Sequence, residues 1–294
     1  MREKCSMSVQ EGVLRKSGGL SRLGDRMSGY DPVTSIPRLG SVALELTNHC
    51  NLSCGICWSQ NPVLYPPREK GYMDPDLFKK IIDEIVSDHE NDSDRKTWLS
   101  LSYGGESLMH PDFDELLEYA AKTRFFDLQL ITNGILLPEH LTALLKHRVR
   151  ITVSYHHHTP DMETNVDRNI ENLLIRRGHT PVNVAVVDAE APGLYAEARN
   201  KFGACTYNYP MITEDLKYVD DRIEPLPAFC RFPFVNMAVL WNGDVWPCCR
   251  LLSSDFPSLG NLHELSTMEV WDGPAYINLR LHPEQYPCKH CEVY

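Results

Sequence analysis

The sequence has no apolar run near the roughly 18 residues that cross a bilayer as a helix, so nothing in it reads as a membrane span. The segment Met1 to Ser6 carries charges with no apolar stretch behind them, which excludes a secretory signal and leads us to expect a cytoplasmic protein. Basic residues are also scarce. There are 29 Lys and Arg against 40 Asp and Glu, a net charge of -11, and phosphate binding needs clustered cations. This disfavours a nucleic-acid partner; a polycationic small molecule would be attracted instead, with an acidity that serves solubility alone as the plain alternative. The glycines from Gly18 to Gly24 lack both a preceding strand and the Gly-Lys-Ser/Thr ending of a phosphate loop. Residues 1–37 lack apolar periodicity and read as a poorly ordered N-terminal extension. Disulfides have no place in a reducing compartment, so the ten cysteines point to metal or redox chemistry.

What is present begins at residue 38 with short apolar strands alternating with amphipathic helices. Strands are expected at Val42–Leu46, Trp98–Tyr103, Leu128–Thr132, Arg150–Tyr155, Val182–Val187 and Ala204–Tyr209. Asp74-Pro75, Pro111 and Pro138 open three of the helices between them, and the first places Leu77, Phe78, Ile81, Ile82 and Ile85 on one face. Such alternation means parallel βα units, too few for a closed eight-fold barrel. We assign residues 38–210 to this α/β domain. Residues 211–294 form an acidic, proline-bearing linker followed by a cysteine-rich piece with little helical periodicity, small enough to need a metal.

The chemistry is carried by Cys50, Cys54 and Cys57, in the loop after the first strand. Three thiolates can hold three irons of a 4Fe-4S cube, and with no fourth cysteine nearby one iron stays open to bind a small molecule. Ligands in parallel βα folds sit at the carboxyl ends of the strands. There the second strand ends in Gly104-Gly105-Glu106, whose glycines admit a ligand close to the backbone and whose carboxylate suits an ammonium.

This CxxxCxxC run followed one strand later by GGE resembles the radical S-adenosylmethionine (SAM) superfamily. The resemblance implies a partial (β/α)6 barrel, a SAM-binding 4Fe-4S cluster, and an electron donor such as flavodoxin or ferredoxin. It assigns Gly104, Gly105 and Glu106 to the methionyl amino group of SAM. Ser107 stands where proline is frequent, and Ile56 where an aromatic residue is usual, a packing role that Trp58 can take over. Asn133 lies in a polar turn on the same rim, either a SAM contact or a helix-entry turn, and Ser154 matches a serine often found near the SAM ribose. His156, His157 and His158 follow it. Consecutive residues of an extended segment face opposite ways, so we favour substrate hydrogen bonding by one or two of them over a metal site. Asp161 and Glu163 are candidates for substrate ammonium groups or for solvated loop positions.

The C-terminal piece resembles the SPASM/Twitch region of radical SAM proteins, which implies a second, fully ligated 4Fe-4S cluster on Cys230, Cys248, Cys288 and Cys291. A zinc site on Cys54, Cys57, Cys288 and Cys291 is the competing metal reading, but it leaves Cys50, Cys230, Cys248 and the GGE unexplained. Cys5, Cys205 and Cys249 remain, and Cys205 is expected to be a buried inert thiol. Cys249, tied to a cluster ligand, is a candidate hydrogen donor, with packing as its plain alternative. In the family, a thiol that returns hydrogen to the opposite face of a substrate radical gives epimerisation, whereas electron loss to the second cluster gives oxidation. The arrangement resembles the radical SAM epimerases of aminoglycoside biosynthesis, with a Twitch-type dehydrogenase and a peptide-modifying enzyme as alternatives. A plain iron-sulfur electron carrier would need neither the open iron nor the GGE.

Overall fold

The computed structural model describes residues 38–54, 57, 59, 67–88, 96–156, 160–186, 193–208, 232–248 and 257–286. Six βα-type strands, β1 (Ser41–Leu44), β2 (Thr97–Ser100), β3 (Phe126–Thr132), β4 (Arg150–Tyr155), β5 (Val182–Val186) and β6 (Thr206–Asn208), run parallel in sequential order. Two more, β7 (Asn236–Val239) and β8 (Val245–Trp246), extend the sheet on the other side of β1, giving the order β6-β5-β4-β3-β2-β1-β7-β8. The sheet is an α/β partial barrel as expected, open at β6 and β8.

Helices α1 (Pro75–Asp88), α2 (Phe113–Lys122), α3 (Leu137–Lys146), α4 (Pro160–Arg176) and α5 (Leu194–Phe202) connect the parallel strands. The strands show why a two-sided fold forms. In β4, Ile151, Val153 and Tyr155 are buried while Arg150, Thr152 and Ser154 alternate with them and stay half-buried. The apolar set packs under the helices, where the α1 side chains Leu77, Phe78, Ile81, Ile82 and Ile85 are fully enclosed. Each such side chain contributes about 1.5–3 kcal/mol on leaving water. The polar set is left on the opposite, inner face of the sheet.

The first five strands lie within a few residues of expectation. β6 starts late because Gly203–Cys205 is a 3-10 turn, and Cys205 in it is half-buried rather than buried, its Sγ 3.8 Å from the Phe202 carbonyl.

The cysteine-rich piece differs more. It contains two short helices, α6 (Thr267–Trp271) and α7 (Pro274–Leu281), too brief for periodicity to reveal. Their start signals were present: Ser266 and Glu269 form a capping box, and Pro274 opens α7. β7 pairs directly with β1, so this piece is part of the main sheet. α1 fixes α6 as well. Glu84 Oε2 accepts from the backbone N–H and hydroxyl of buried Thr267, both at 2.7 Å, and Lys80 Nζ donates to the carbonyls of Leu262 and Leu265 at 2.6 and 2.9 Å.

Replacing Glu84 by Ala strands two donors of Thr267. The expected loss is about 2 kcal/mol, read as a lower urea midpoint. An unchanged midpoint would show that α6 is held by packing alone.

Candidate active site

The site is built from the loops that leave the carboxyl ends of β1, β2 and β3. β1 runs out into Glu45 and Leu46, and Glu45 is fully buried. Arg68 neutralises it with a two-pronged contact, Nη1 to Oε2 at 3.0 Å and Nη2 to Oε1 at 2.5 Å. A carboxylate sealed from water is tolerated only with such a partner. The segment carrying Arg68 is laced back onto the chain before Cys50. Thr47 Oγ1 donates to the Gly71 carbonyl at 2.7 Å, Asn48 bonds both Glu69 and Gly71, and Lys70 Nζ reaches the Asn48 carbonyl at 2.6 Å. His49 stacks on Tyr72 with ring centroids 4.6 Å apart. The loop with the three cysteines therefore enters and leaves through one stapled base.

The GGE turn sits directly on that base. A Cβ at Gly104 would stand 2.1 Å from Glu45 Oε1, and one at Gly105 would stand 2.4 Å from the His49 carbonyl. Gly105 also has a φ of +65°, a conformation that costs other residues strain. The Glu106 N–H donates to the His49 carbonyl at 2.8 Å, tying the turn to the loop after β1.

Glu106 itself is buried, its carboxylate accepting from Asn133 N–H at 2.8 Å and Leu108 N–H at 3.2 Å. Burial raises its pKa above the ordinary carboxylate value, against the lowering effect of those two N–H groups and of Thr132. Asn133 Nδ2 then donates to Asn51 Oδ1 at 2.7 Å, within the cysteine loop. Glu106 and Asn133 thus bring three strand-end loops to one place.

Cys50, Cys54 and Cys57 are all half-buried, with Cys57 N–H donating to the Cys54 carbonyl at 3.0 Å. Burial pushes the Cys50 thiol up to about 11, and Glu106, Cys57 and Cys54 add to the rise. The three thiols are therefore within electrostatic reach of one another. Among the described residues no group of three or more His, Cys, Asp or Glu converges as ligands of a single ion do.

Ser154 and Asn133 come together. Thr132 pairs with Val153, so the next residues, Asn133 and Ser154, stand side by side on adjacent strands facing the rim. His156 follows, half-buried. Trp58, His157, His158, Cys230, Cys249, Cys288 and Cys291 lie outside the described residues, as do the side chains of Asp161 and Glu163.

Cys248 is placed at the other end of the sheet. β8 runs antiparallel to β7 with Trp246 opposite Ala238, and Asn236 Nδ2 donates to the Pro247 carbonyl at 2.8 Å. Asn236 pairs with Ser41, the first residue of β1. Cys248 therefore lies near the amino ends of β1 and β7, while Cys50 follows the carboxyl end of β1. Half-buried, it packs against the core close to the fully buried Tyr276, whose hydroxyl donates to the Asn236 carbonyl at 3.2 Å.

Sequence reasoning missed Glu45, Arg68 and Asn51. An acid inside the apolar run Val42 to Leu46 was the available signal, because such a residue needs a partner. Arg68→Ala leaves Glu45 buried and unpaired, at an expected cost of about 3 kcal/mol, below the fully enclosed case because the Arg68 side chain is 25% exposed. Urea unfolding measures it, and the same variant should lose SAM binding by calorimetry. Full stability and full SAM binding would show that the stapled base does not depend on this pair.

Comparison with known proteins agrees with this geometry. Residues 44–186 match the radical SAM superfamily model, and residues 230–292 match that of an iron-sulfur cluster-binding domain, SPASM. The tungsten-containing aldehyde ferredoxin oxidoreductase cofactor-modifying protein of Pyrococcus furiosus is 24% identical over 85% of this chain and 86% of its own length. The antilisterial bacteriocin subtilosin biosynthesis protein AlbA of Bacillus subtilis is 30% identical, over 42% of this chain and 26% of its own. Among solved structures, Streptococcus suis SuiB superposes with a TM-score of 0.60 at 16% identity, covering 89% of this chain and 72% of that one. BtrN in complex with AdoMet and 2-DOIA gives 0.56 at 15%, covering 86% and 88%. These structural likenesses show a shared fold. With a cysteine loop and GGE turn on the carboxyl rim and a SPASM piece joined to the same sheet, the chain is a radical SAM enzyme with a SPASM domain.

Proposed function

We propose that the chain is an epimerase that inverts one carbon of an amino sugar, in a reaction of the neomycin C to neomycin B type. The observation that carries this reading is the placement of Cys248 near the amino ends of β1 and β7, opposite the Cys50 loop. Inversion requires hydrogen to leave from one face of a carbon and return to the other. In this reading the thiol next in the chain to Cys248 approaches the substrate from the side away from the radical source.

In this reading Cys50, Cys54 and Cys57 hold the SAM-binding 4Fe-4S cluster, and Cys230, Cys248, Cys288 and Cys291 hold a second one. Gly104, Gly105, Glu106, Asn133, Ser154 and Trp58 seat SAM. With clusters and SAM bound, radical SAM chemistry supplies a 5'-deoxyadenosyl radical that removes hydrogen from an unactivated carbon. Cys249, next in the chain after Cys248, gives its S–H hydrogen to the opposite face, which is downhill because S–H is weaker than C–H. The resulting thiyl takes one electron and one proton to return to the thiol. Together with the electron that cleaves SAM, one turnover needs two electrons from a flavodoxin- or ferredoxin-class donor. One or two of His156, His157 and His158, with Asp161 and Glu163, are the substrate contacts, the carboxylates suiting ammonium groups, and the net charge of -11 favours a polycationic sugar.

Oxidation of an aminocyclitol is the second reading, favoured by the same SPASM piece at the amino ends of the strands, where an electron rather than a hydrogen would be exchanged. Peptide modification is the third, since AlbA acts in bacteriocin biosynthesis.

Turnover in deuterium oxide decides among them. The expected product is inverted with one deuterium at the new C–H, and Cys249→Ala is expected to keep cleaving SAM while inversion stops. A product two mass units lighter would identify the dehydrogenase, and continued inversion by Cys249→Ala would remove that residue from the mechanism.

A further inference from the structure

The cations of this acidic chain are not spread evenly. Helices α2, α3 and α4 each close on a basic residue, Lys122, Lys146 and Arg176, at the end of the sheet where the strands begin. Arg124 and Arg148 follow the first two, just before β3 and β4, and both are exposed, as is Arg176. Glu118 is the acid of this group. Its Oε1 is shared by Lys122 and Lys146 at 3.5 Å each, so α2 and α3 meet here with two lysines on one carboxylate. Burial holds His147 below its ordinary pKa, and Lys146 and Lys122 add to that lowering against the opposite pull of Glu118.

Ordinary helix-end chemistry accounts for the lysines, since a cation complements the negative end of a helix dipole. It does not account for the arginines. Arg124 and Arg148 each stand two residues past their helix with φ of +57° and +54°, a left-handed conformation that strains a residue with a Cβ. The same position after α4 is Gly178, with φ of +53°, the residue such a turn favours. Two neighbouring turns therefore carry an arginine where glycine would fold more easily. Strain kept at an exposed position points to a use for the side chain.

The position of the patch narrows that use. Cys248 lies at this same end of the sheet, near the amino ends of β1 and β7, and radical SAM chemistry takes its electrons from outside. A chain of net charge -11 repels an acidic protein over most of its surface, so a local basic face selects such a partner and fixes how it approaches. We propose that the face formed by Lys122, Arg124, Lys146, Arg148 and Arg176 docks an acidic electron-carrier protein of the ferredoxin class. The choice of an electron carrier rests on the second cluster of the proposed function; the choice of an acidic surface rests on the patch alone.

The test measures binding, not turnover. The full chain, anaerobically reconstituted and loaded with SAM, is titrated by fluorescence anisotropy with a labelled plant-type ferredoxin, an acidic iron-sulfur protein. Binding is expected to weaken at least about tenfold between about 20 mM and about 200 mM salt. The double variant Arg124→Gly, Arg148→Gly removes two charges and relieves both turns. Its thermal midpoint should stay level or rise while its affinity for the ferredoxin falls at least about tenfold. Arg124→Lys with Arg148→Lys keeps the charges and should keep most of the affinity. Failure of the unaltered protein to bind, binding insensitive to salt, or full affinity in the glycine variant overturns the proposal. So does a short DNA duplex that displaces the ferredoxin at equal concentration, which would give the face to nucleic acid. Self-association of the unaltered protein that the glycine variant loses in sedimentation would give it to a second copy and overturn the proposal as well. Docking as expected, with no sugar inverted in turnover assays, would sink the epimerase reading and leave the docking face standing.

Discussion

A carboxylate placed at the end of a buried strand has to be neutralised, and Glu45 meets that need through Arg68. Because Arg68 lies beyond the cysteine loop in the chain, pairing the two charges closes the loop. Because Glu45 lies under Gly104, the same pair forms the floor of the GGE turn, and only a residue without a Cβ fits above it. Trp241 extends the connection: its N–H approaches Glu45 Oε2 at 3.4 Å, and its ring lies where a Cβ on Gly71 would fall, 2.4 Å away. Trp241 follows β7 and precedes the turn to β8. The ion pair thus sits where the cysteine loop, the GGE turn and the hairpin leading to Cys248 meet.

From that node the sheet sets a distance. Leaving along β1 in one direction leads to the half-buried thiols of Cys50, Cys54 and Cys57, on the loop that Asn133 holds through Asn51. Going back along β7 and β8 leads to Cys248 near the amino ends of the same strands. Between them lies a wall whose side chains alternate out of the core, with Ser154 at the rim and Arg150 deeper. The described residues thus put Cys50, Cys54 and Cys57 past one end of the central strands and Cys248 at the other.

Much of this was legible in the sequence, for reasons that can be stated. Alternation of apolar and polar residues marks strands, so the parallel order was readable. Cysteine spacing and the GGE are local, so the rim was readable too. The joining of β7 to β1 was not, because a four-residue strand such as Asn236–Val239, buried throughout, carries no alternation to distinguish it. The placement of Cys248 depends on that pairing, and so does its separation along β1 from Cys50, Cys54 and Cys57. Glu106 was read as a ligand contact, and its carboxylate also caps its own turn at the Leu108 N–H and binds the Asn133 N–H of another rim segment, the second a tertiary contact that spacing does not encode. Arg150 was read only as the first residue of a strand, since its stacking on Trp98 becomes visible only when β2, β3 and β4 are placed side by side.

The proposed function puts two iron centres one at each end of the central strands, with the substrate between them. Anomalous diffraction at the iron edge from anaerobic crystals of the reconstituted protein measures this directly. The account predicts two iron peaks, one beside Cys50, Cys54 and Cys57 and one beside Cys248, separated along β1 by about 13 Å or more, the span of four residues of strand. A single iron centre, or two centres both on the carboxyl rim, would contradict it.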